Sequence, residues 1–268
     1  MSDTRSDTAA AIAGLLNFRD VGGLPVVGGG RTRFRTLYRS HSPSGLGAEG
    51  TAGIRALSLR TVLDLRDEIE LELSPYELAD PATRRVSVPV LADLPVPPDQ
   101  PGLYTHMVEA CGPGFTRAVR TLAAADSHPV LVHCAVGKDR TGLTVALALS
   151  AVGVPDEAVL ADFSRSNAGL NIPEPVEEAT GDRYQRYRHV SAVLMESSLE
   201  RARRLGGDIP GYLAMHGMSD AELDVLRTGL VEPAGQGQDH PQPSPLPAAG
   251  QTAGAAGPGV VGSPHERS

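Results

Sequence analysis

One run of thirteen residues constrains the fold of this chain more than any other: Val130-Leu-Val-His-Cys-Ala-Val-Gly-Lys-Asp-Arg-Thr-Gly142. Its start reads as an apolar strand, the stretch from Cys134 as a tight loop, and the residues from Arg140 as the opening of a helix. Strand and helix joined through such a loop belong in an α/β architecture. The loop also holds Lys138, the chain's one lysine; the other 23 of its 24 basic residues are arginines.

Cysteine followed six positions later by arginine at such a junction has the parts needed to attack a phosphate monoester. The nucleophile must be strong at neutral pH, and a free cysteine, with a pKa of about 8.5, is mostly protonated there. A helix N-terminus ringed by backbone N–H groups favours both a thiolate at Cys134 and an incoming phosphate. Ala135, Val136, Gly137, Lys138 and Asp139 suffice to wrap those amides round the phosphate oxygens. Gly137 allows a backbone conformation that a Cβ would penalise. Arg140 supplies a planar fork for two phosphate oxygens. Thr141 is placed to donate a hydroxyl hydrogen bond to the sulfur and help it leave, and His133 to orient the loop through its ring rather than act as a base. The reaction would run through a cysteinyl-phosphate intermediate that water hydrolyses, with no metal or other cofactor. Lys138 reads as a flexible point charge at the loop's rim, useful for a substrate with several phosphates, or else as a charge acting on the thiol.

Three other readings compete. Cys134 could be a buried cysteine that merely ends a core strand. The chain could be a phosphate-binding module without catalysis, against which Cys134, Arg140 and Thr141 all speak. It could be a rhodanese-like sulfurtransferase, which uses a cysteine loop of similar shape, but Lys138, Asp139 and a helix-opening Arg140 fit phosphate better.

Composition narrows the rest. At 268 residues the chain can bury a sizeable core as one domain. No apolar run is long enough to span a membrane. The polar start, Met-Ser-Asp-Thr-Arg-Ser-Asp-Thr, lacks a hydrophobic signal core, so Sec-type export is not expected, although other routes of secretion stay open. Two cysteines suit a reducing compartment, the cytoplasm, rather than a disulfide framework. A net charge of −8 gives no support to nucleic-acid binding. The oligomeric state is not readable. Residues 10–232 form the expected catalytic domain. Residues 233–268, rich in Pro, Gly, Ala, Gln and Ser, are expected to be a disordered tail.

Along the chain, Gly22-Gly23 and Gly28-Gly29-Gly30 bracket a hairpin-like segment before a strand near residues 33–39. A short helix over 53–57, a buried strand over 61–65 and a strand over 84–90 follow, then a proline-rich loop over 91–101. Helices are expected over 104–111, 115–125, 141–152, 155–167, 184–205 and from a capping box at Ser219 to about 230, with a strand over 129–133. The helix over 141–152 is apolar on nearly every side and should be buried.

The segment His133 to Gly142 resembles the loop of the bacterial atypical protein tyrosine phosphatases that also dephosphorylate phosphoinositides, with its His-Cys-x-x-Gly-Lys-Asp-Arg-Thr-Gly pattern. Asn17-Phe-Arg-Asp-Val-Gly-Gly23, Leu37-Tyr-Arg-Ser40 and Val62-Leu-Asp-Leu-Arg-Asp67 match in order, so the resemblance covers about residues 15 to 230. It implies the cysteine-phosphatase fold, a parallel-rich sheet flanked by helices, with phosphorylated proteins and phosphoinositides as substrates. A general acid must protonate the leaving oxygen. The chain has no tryptophan, so a Trp-Pro-Asp loop is absent. The resemblance favours Asp139, inside the loop; Asp93, in the proline-rich loop, is the alternative. Asp20 and Asp64 read as residues tying loops to arginines such as Arg19 and Arg66. Cys111 reads as a small buried or loop residue, with nothing to place it near Cys134.

Overall fold

A computed structural model describes residues 11–91, 97, 99–124, 126–172 and 191–234, all within one compact unit. Its architecture is the expected α/β one. The main sheet has five strands in the order β1 (Arg19–Asp20), β3 (Leu37–Ser40), β6 (Val130–His133), β4 (Thr61–Asp64) and β5 (Arg84–Ser87). Every pairing is parallel except that of β1 with β3. Strand β6 is central and buried along its whole length, which is why it reads as an unbroken apolar run.

Side chains alternate across the strands, so the sheet has two apolar faces. Leu37, Leu63, Val130 and Val132 point into the larger core, which is closed by helices. Tyr38, Val62 and Leu131 point the other way, into a smaller core with Ile12, Leu15, Ile54 and Leu59. Helix α1 (Ala48–Ala56) covers that second face through Ile54. Helix α5 (Asp139–Ala151) is buried at nearly every position, as its composition requires. Helix α8 (Ala192–Gly206) buries Met195, Ser198, Leu199 and Ala202, the helical spacing of one face, and packs on α3 (Gln100–Glu109) and α6 (Asp156–Ser164).

The register carries the main consequence for function. His133 lies level with Ser40 on one side and Asp64 on the other. The three strands therefore deliver the ends of three sequence motifs to one edge of the sheet.

Several expectations need correction. The strand expected over 33–39 starts only at Leu37, because Arg35 turns the chain with φ +56 and its N–H is held by Asp20 Oδ2 at 2.6 Å. Helix α5 opens at Asp139, one residue earlier than read, with Lys138 as its N-cap. Helices α2 (Glu68–Leu73) and α9 (Ile209–Met215) were not anticipated, nor was the small sheet of β2 (Arg31–Thr32) with β7 (Val231–Glu232). The capping box at Ser219 is formed as read, with Ser219 and Glu222 bonding each other's backbone N–H. The helix expected from residue 184 is described only from Ala192. Asp93 and the tail beyond residue 234 lie outside the described residues. Among the described residues no helix is long and apolar enough to cross a membrane.

Candidate active site

The loop from Cys134 to Lys138 leaves β6 and curls back over the end of β3 before α5 begins. Gly137 makes that curl possible. Its φ is +73, and a Cβ there would lie 2.1 Å from the carbonyl oxygen of Ser40. The Gly137 N–H points at Cys134 Sγ, 3.2 Å away. Cys134 is buried and its thiol is free, as is that of buried Cys111, whose pKa burial pushes up.

The His133 ring bonds the backbone of the loop. Its Nδ1 lies 2.9 Å from Cys134 O, and since a carbonyl only accepts, Nδ1 carries the proton. Nε2 then accepts from the Tyr76 hydroxyl at 2.8 Å. Burial pushes the ring's pKa down to about 4 in spite of Asp64 nearby, so it is neutral. Asp64 itself receives Arg66 Nη2 at 2.8 Å, as expected of that pair.

Arg140 is held by a residue the sequence reading missed. Its Nη1 and Nη2 each lie 2.5 Å from an oxygen of Glu70, on α2. Burial alone would raise the Glu70 carboxyl, but the hydrogen bonds and charge of Arg140 outweigh it and hold it low. The signal was present: Asp67 and Glu70 form a capping box, an Asp-x-x-Glu spacing that marks a helix start.

Asp139 lies beside the loop with Oδ1 accepting from the buried Tyr104 hydroxyl at 2.6 Å. Lys138 is not the mobile rim charge expected. It is 5% exposed, and its Nζ lies 3.6 Å from Asp139 Oδ1. Tucking the alkyl stem inward removes apolar surface from water, and the carboxylate offsets part of the cost of bringing the ammonium along. Val136, by contrast, stands half exposed on the loop. Thr141 departs from expectation as well: its hydroxyl is buried but bonds neither the sulfur nor any other described group.

The Asn-Phe-Arg-Asp and Leu-Tyr-Arg-Ser motifs meet behind the loop. Asn17 Nδ2 and Arg39 Nη2 both donate to Gly137 O, at 2.9 and 3.1 Å. Arg19 pairs with Asp162 rather than Asp20, which instead accepts the N–H of Gly22 at 2.8 Å. A cleft of about 220 Å³ opens beside the loop, walled by Ala135, Ser42, Ser74, Glu70 and Leu73. A larger cavity of about 330 Å³, between Leu46, Ile54, Val62 and Tyr76, has neither Cys134 nor Arg140 in its lining. Among the described residues no group of His, Cys, Asp and Glu could hold a metal ion.

Similarity to known proteins runs along most of the chain. The family model described as the tyrosine phosphatase family matches residues 10–232. The triple specificity protein phosphatase PtpB of Mycobacterium tuberculosis is 31% identical, over 82% of this chain and 98% of that one. A Cupriavidus necator protein named as a candidate tyrosine-protein phosphatase is 35% identical, over 56% of this chain and only 60% of its own length. Among solved structures, P. aeruginosa TpbA matches with a TM-score of 0.40 at 21% identity, over 69% of this chain and 88% of that one.

Proposed function

The chain belongs to the tyrosine phosphatase family, and on that premise we propose that it hydrolyses phosphotyrosine in proteins, with phosphoinositides as a second class of substrate. The breadth is supported by a relative named for triple specificity. One observation carries the mechanism: the buried Cys134 sulfur receives the N–H of a glycine whose position no other residue fits.

In this reading the Cys134 thiolate attacks phosphorus, and the ester oxygen leaves with a proton from Asp139. A cysteinyl phosphate remains. Water then attacks it, giving its proton to Asp139, and sulfur departs as thiolate. Arg140 turns part of its fork from Glu70 to the phosphoryl oxygens, whose charge its guanidinium matches. The Thr141 hydroxyl, free of other bonds, donates to the departing sulfur. Two free cysteines and a thiolate nucleophile favour a reducing compartment such as the cytoplasm.

The test is turnover of p-nitrophenyl phosphate in EDTA. Wild-type protein should be fully active there. Cys134→Ser should lose turnover yet still bind vanadate, because the loop amides and Arg140 remain. Residual activity within about tenfold of wild type would overturn Cys134 as nucleophile.

A further inference from the structure

Two guanidinium groups and one carboxylate are buried together under the loop. Arg19 Nε donates to Asp162 Oδ1 at 2.7 Å and Arg39 Nη1 to Asp162 Oδ2 at 2.8 Å. Nearby ion pairs balance one to one: Asp64 with Arg66, and Glu70 with Arg140. Here two cations share one anion, and Arg39 Nε has no hydrogen-bond partner among the described residues. Burying an incompletely paired charge is unfavourable, and a second anion close by would offset that cost. Burial and the like charge of Arg19 pull the Arg39 pKa down to about 10, while Asp162 and Cys134 hold it up.

Arg39 also touches the loop. Its Nη2 donates to Gly137 O, which Asn17 holds as well. In a trans peptide the C=O and the following N–H point opposite ways. Drawing Gly137 O back toward β3 therefore turns the Lys138 N–H away from β3, toward the open side of the loop.

We propose that Arg39 is a positioning residue for the reaction: it aims the Gly137–Lys138 peptide, and its half-balanced charge readies the loop for an anion, first the Cys134 thiolate and then bound phosphate. The proposal rests on Cys134 being the nucleophile. Other charged or titratable groups lie around the loop, of which Tyr104 and Arg140, like Arg39, act directly on Cys134. Arg19 lies behind Arg39 on β1, Asp162 is on α6, His133 on β6, and Tyr104 on α3. Lys138, Asp139 and Arg140 come from the loop and α5, with Glu70 behind Arg140. His133 is neutral, Tyr104 is held protonated by burial and Asp139, and Lys138 and Arg140 each have an acidic neighbour of their own. Arg39 and Arg19 alone in this set divide one.

The experiment measures the rate of Cys134 alkylation by iodoacetamide against pH in the full chain. Mass spectrometry of the Cys134 peptide keeps Cys111 out of the signal, and a circular dichroism melt checks folding. Arg39→Met should move the alkylation midpoint up by about one pH unit, slowing the reaction about tenfold at pH values well below the wild-type midpoint. Arg39→Lys, which keeps the charge but loses the fork, should hold the midpoint within about 0.3 unit while kcat falls about tenfold. Asp162→Asn, which leaves both cations less balanced, should move the midpoint down. A folded Arg39→Met protein with a wild-type midpoint overturns the proposal. Should Arg39→Met fail to fold, Asp162→Asn decides: a lower midpoint supports the proposal, and an unchanged or higher one overturns it. Turnover surviving in Cys134→Ser would instead overturn the nucleophile, a separate outcome.

Discussion

Replacing Gly137 with alanine would test whether the loop's shape is what the reaction depends on. An L-residue at a φ of +73 costs about 1–2 kcal/mol in backbone conformation. The new Cβ would also lie 2.1 Å from Ser40 O, 2.4 Å from Ser40 C and 2.6 Å from His41 N. All three are backbone atoms at the end of β3, which β6 pins by parallel pairing, so no flexible side chain can yield. Overpacking of that kind costs a further ~1–3 kcal/mol. The combined loss should lower the melting temperature by roughly 5–15 °C, at about 2–4 °C per kcal/mol for a domain of this size. If the loop yields instead, it must retreat by about 1.3 Å to reach an ordinary contact of about 3.4 Å, and misplacement by about 1 Å can cost a hundredfold in rate. The assay is kcat/KM on p-nitrophenyl phosphate beside a thermal melt. A Gly137→Ala protein with wild-type melting and a rate within about tenfold of wild type would refute the reasoning.

Three further outcomes are expected. Glu70→Gln removes the charge that steadies Arg140 and should lower kcat on p-nitrophenyl phosphate about tenfold with a smaller change in KM; wild-type kinetics would make the pair incidental. Asp139→Asn should slow phosphotyrosine, a poor leaving group, far more than p-nitrophenyl phosphate, whose leaving group barely needs a proton; equal slowing would mean that Asp139 only shapes the loop and would turn attention to Asp93. For pH, the His133 ring has a pKa of about 4 in the fold against an ordinary 6.5, so the unfolded chain takes up the proton first. The stability it contributes is intact above pH 6.5 and is lost as pH falls toward about 4, with about 2 kcal/mol gone between pH 7 and pH 5. His41, His128 and His216, also pushed down by burial, add in the same direction. Urea midpoints at the two pH values check this, and His133→Gln should flatten the difference. Equal midpoints in the wild-type protein would show that the ring is not buried neutral.

The parts legible in the sequence were those set by neighbours in the chain. The strand–loop–helix from Val130, the buried helix after it and the Ser219 cap depend on local periodicity and spacing, and the structure contains each. Lys138 was misjudged because its type says charged and exposed, whereas burial depends on what packs over it. Glu70 and Asp162 could not be connected to the loop from sequence, since 70 residues separate the first from Arg140 and 123 separate the second from Arg39. The resemblance had grouped Asn17, Arg39 and Asp64 by order alone, without saying what each does.

A structural reason links those dispersed motifs. A loop whose amides point inward at an anion turns carbonyls outward, and a buried carbonyl needs a donor. The donors come from elements far apart in the chain. Cys134 O receives the ring of His133, and Ala135 O receives the N–H of Ser42, just past β3. Gly137 O receives Asn17 and Arg39 together. Lys138 O accepts the N–H of Gly142 as the helix begins. His133, the donor to Cys134 O, is steadied in turn by the Tyr76 hydroxyl, which lies between His133 Nε2 and Asp64 Oδ2 at 2.8 and 3.2 Å. The Asn17, Leu37 and Val62 motifs thus form much of the back of the loop whose front is Cys134 to Arg140. A substitution in any of them leaves the reacting atoms untouched. Its cost should still appear first in catalysis, because a carbonyl that loses its donor can turn, and the adjoining N–H turns with it.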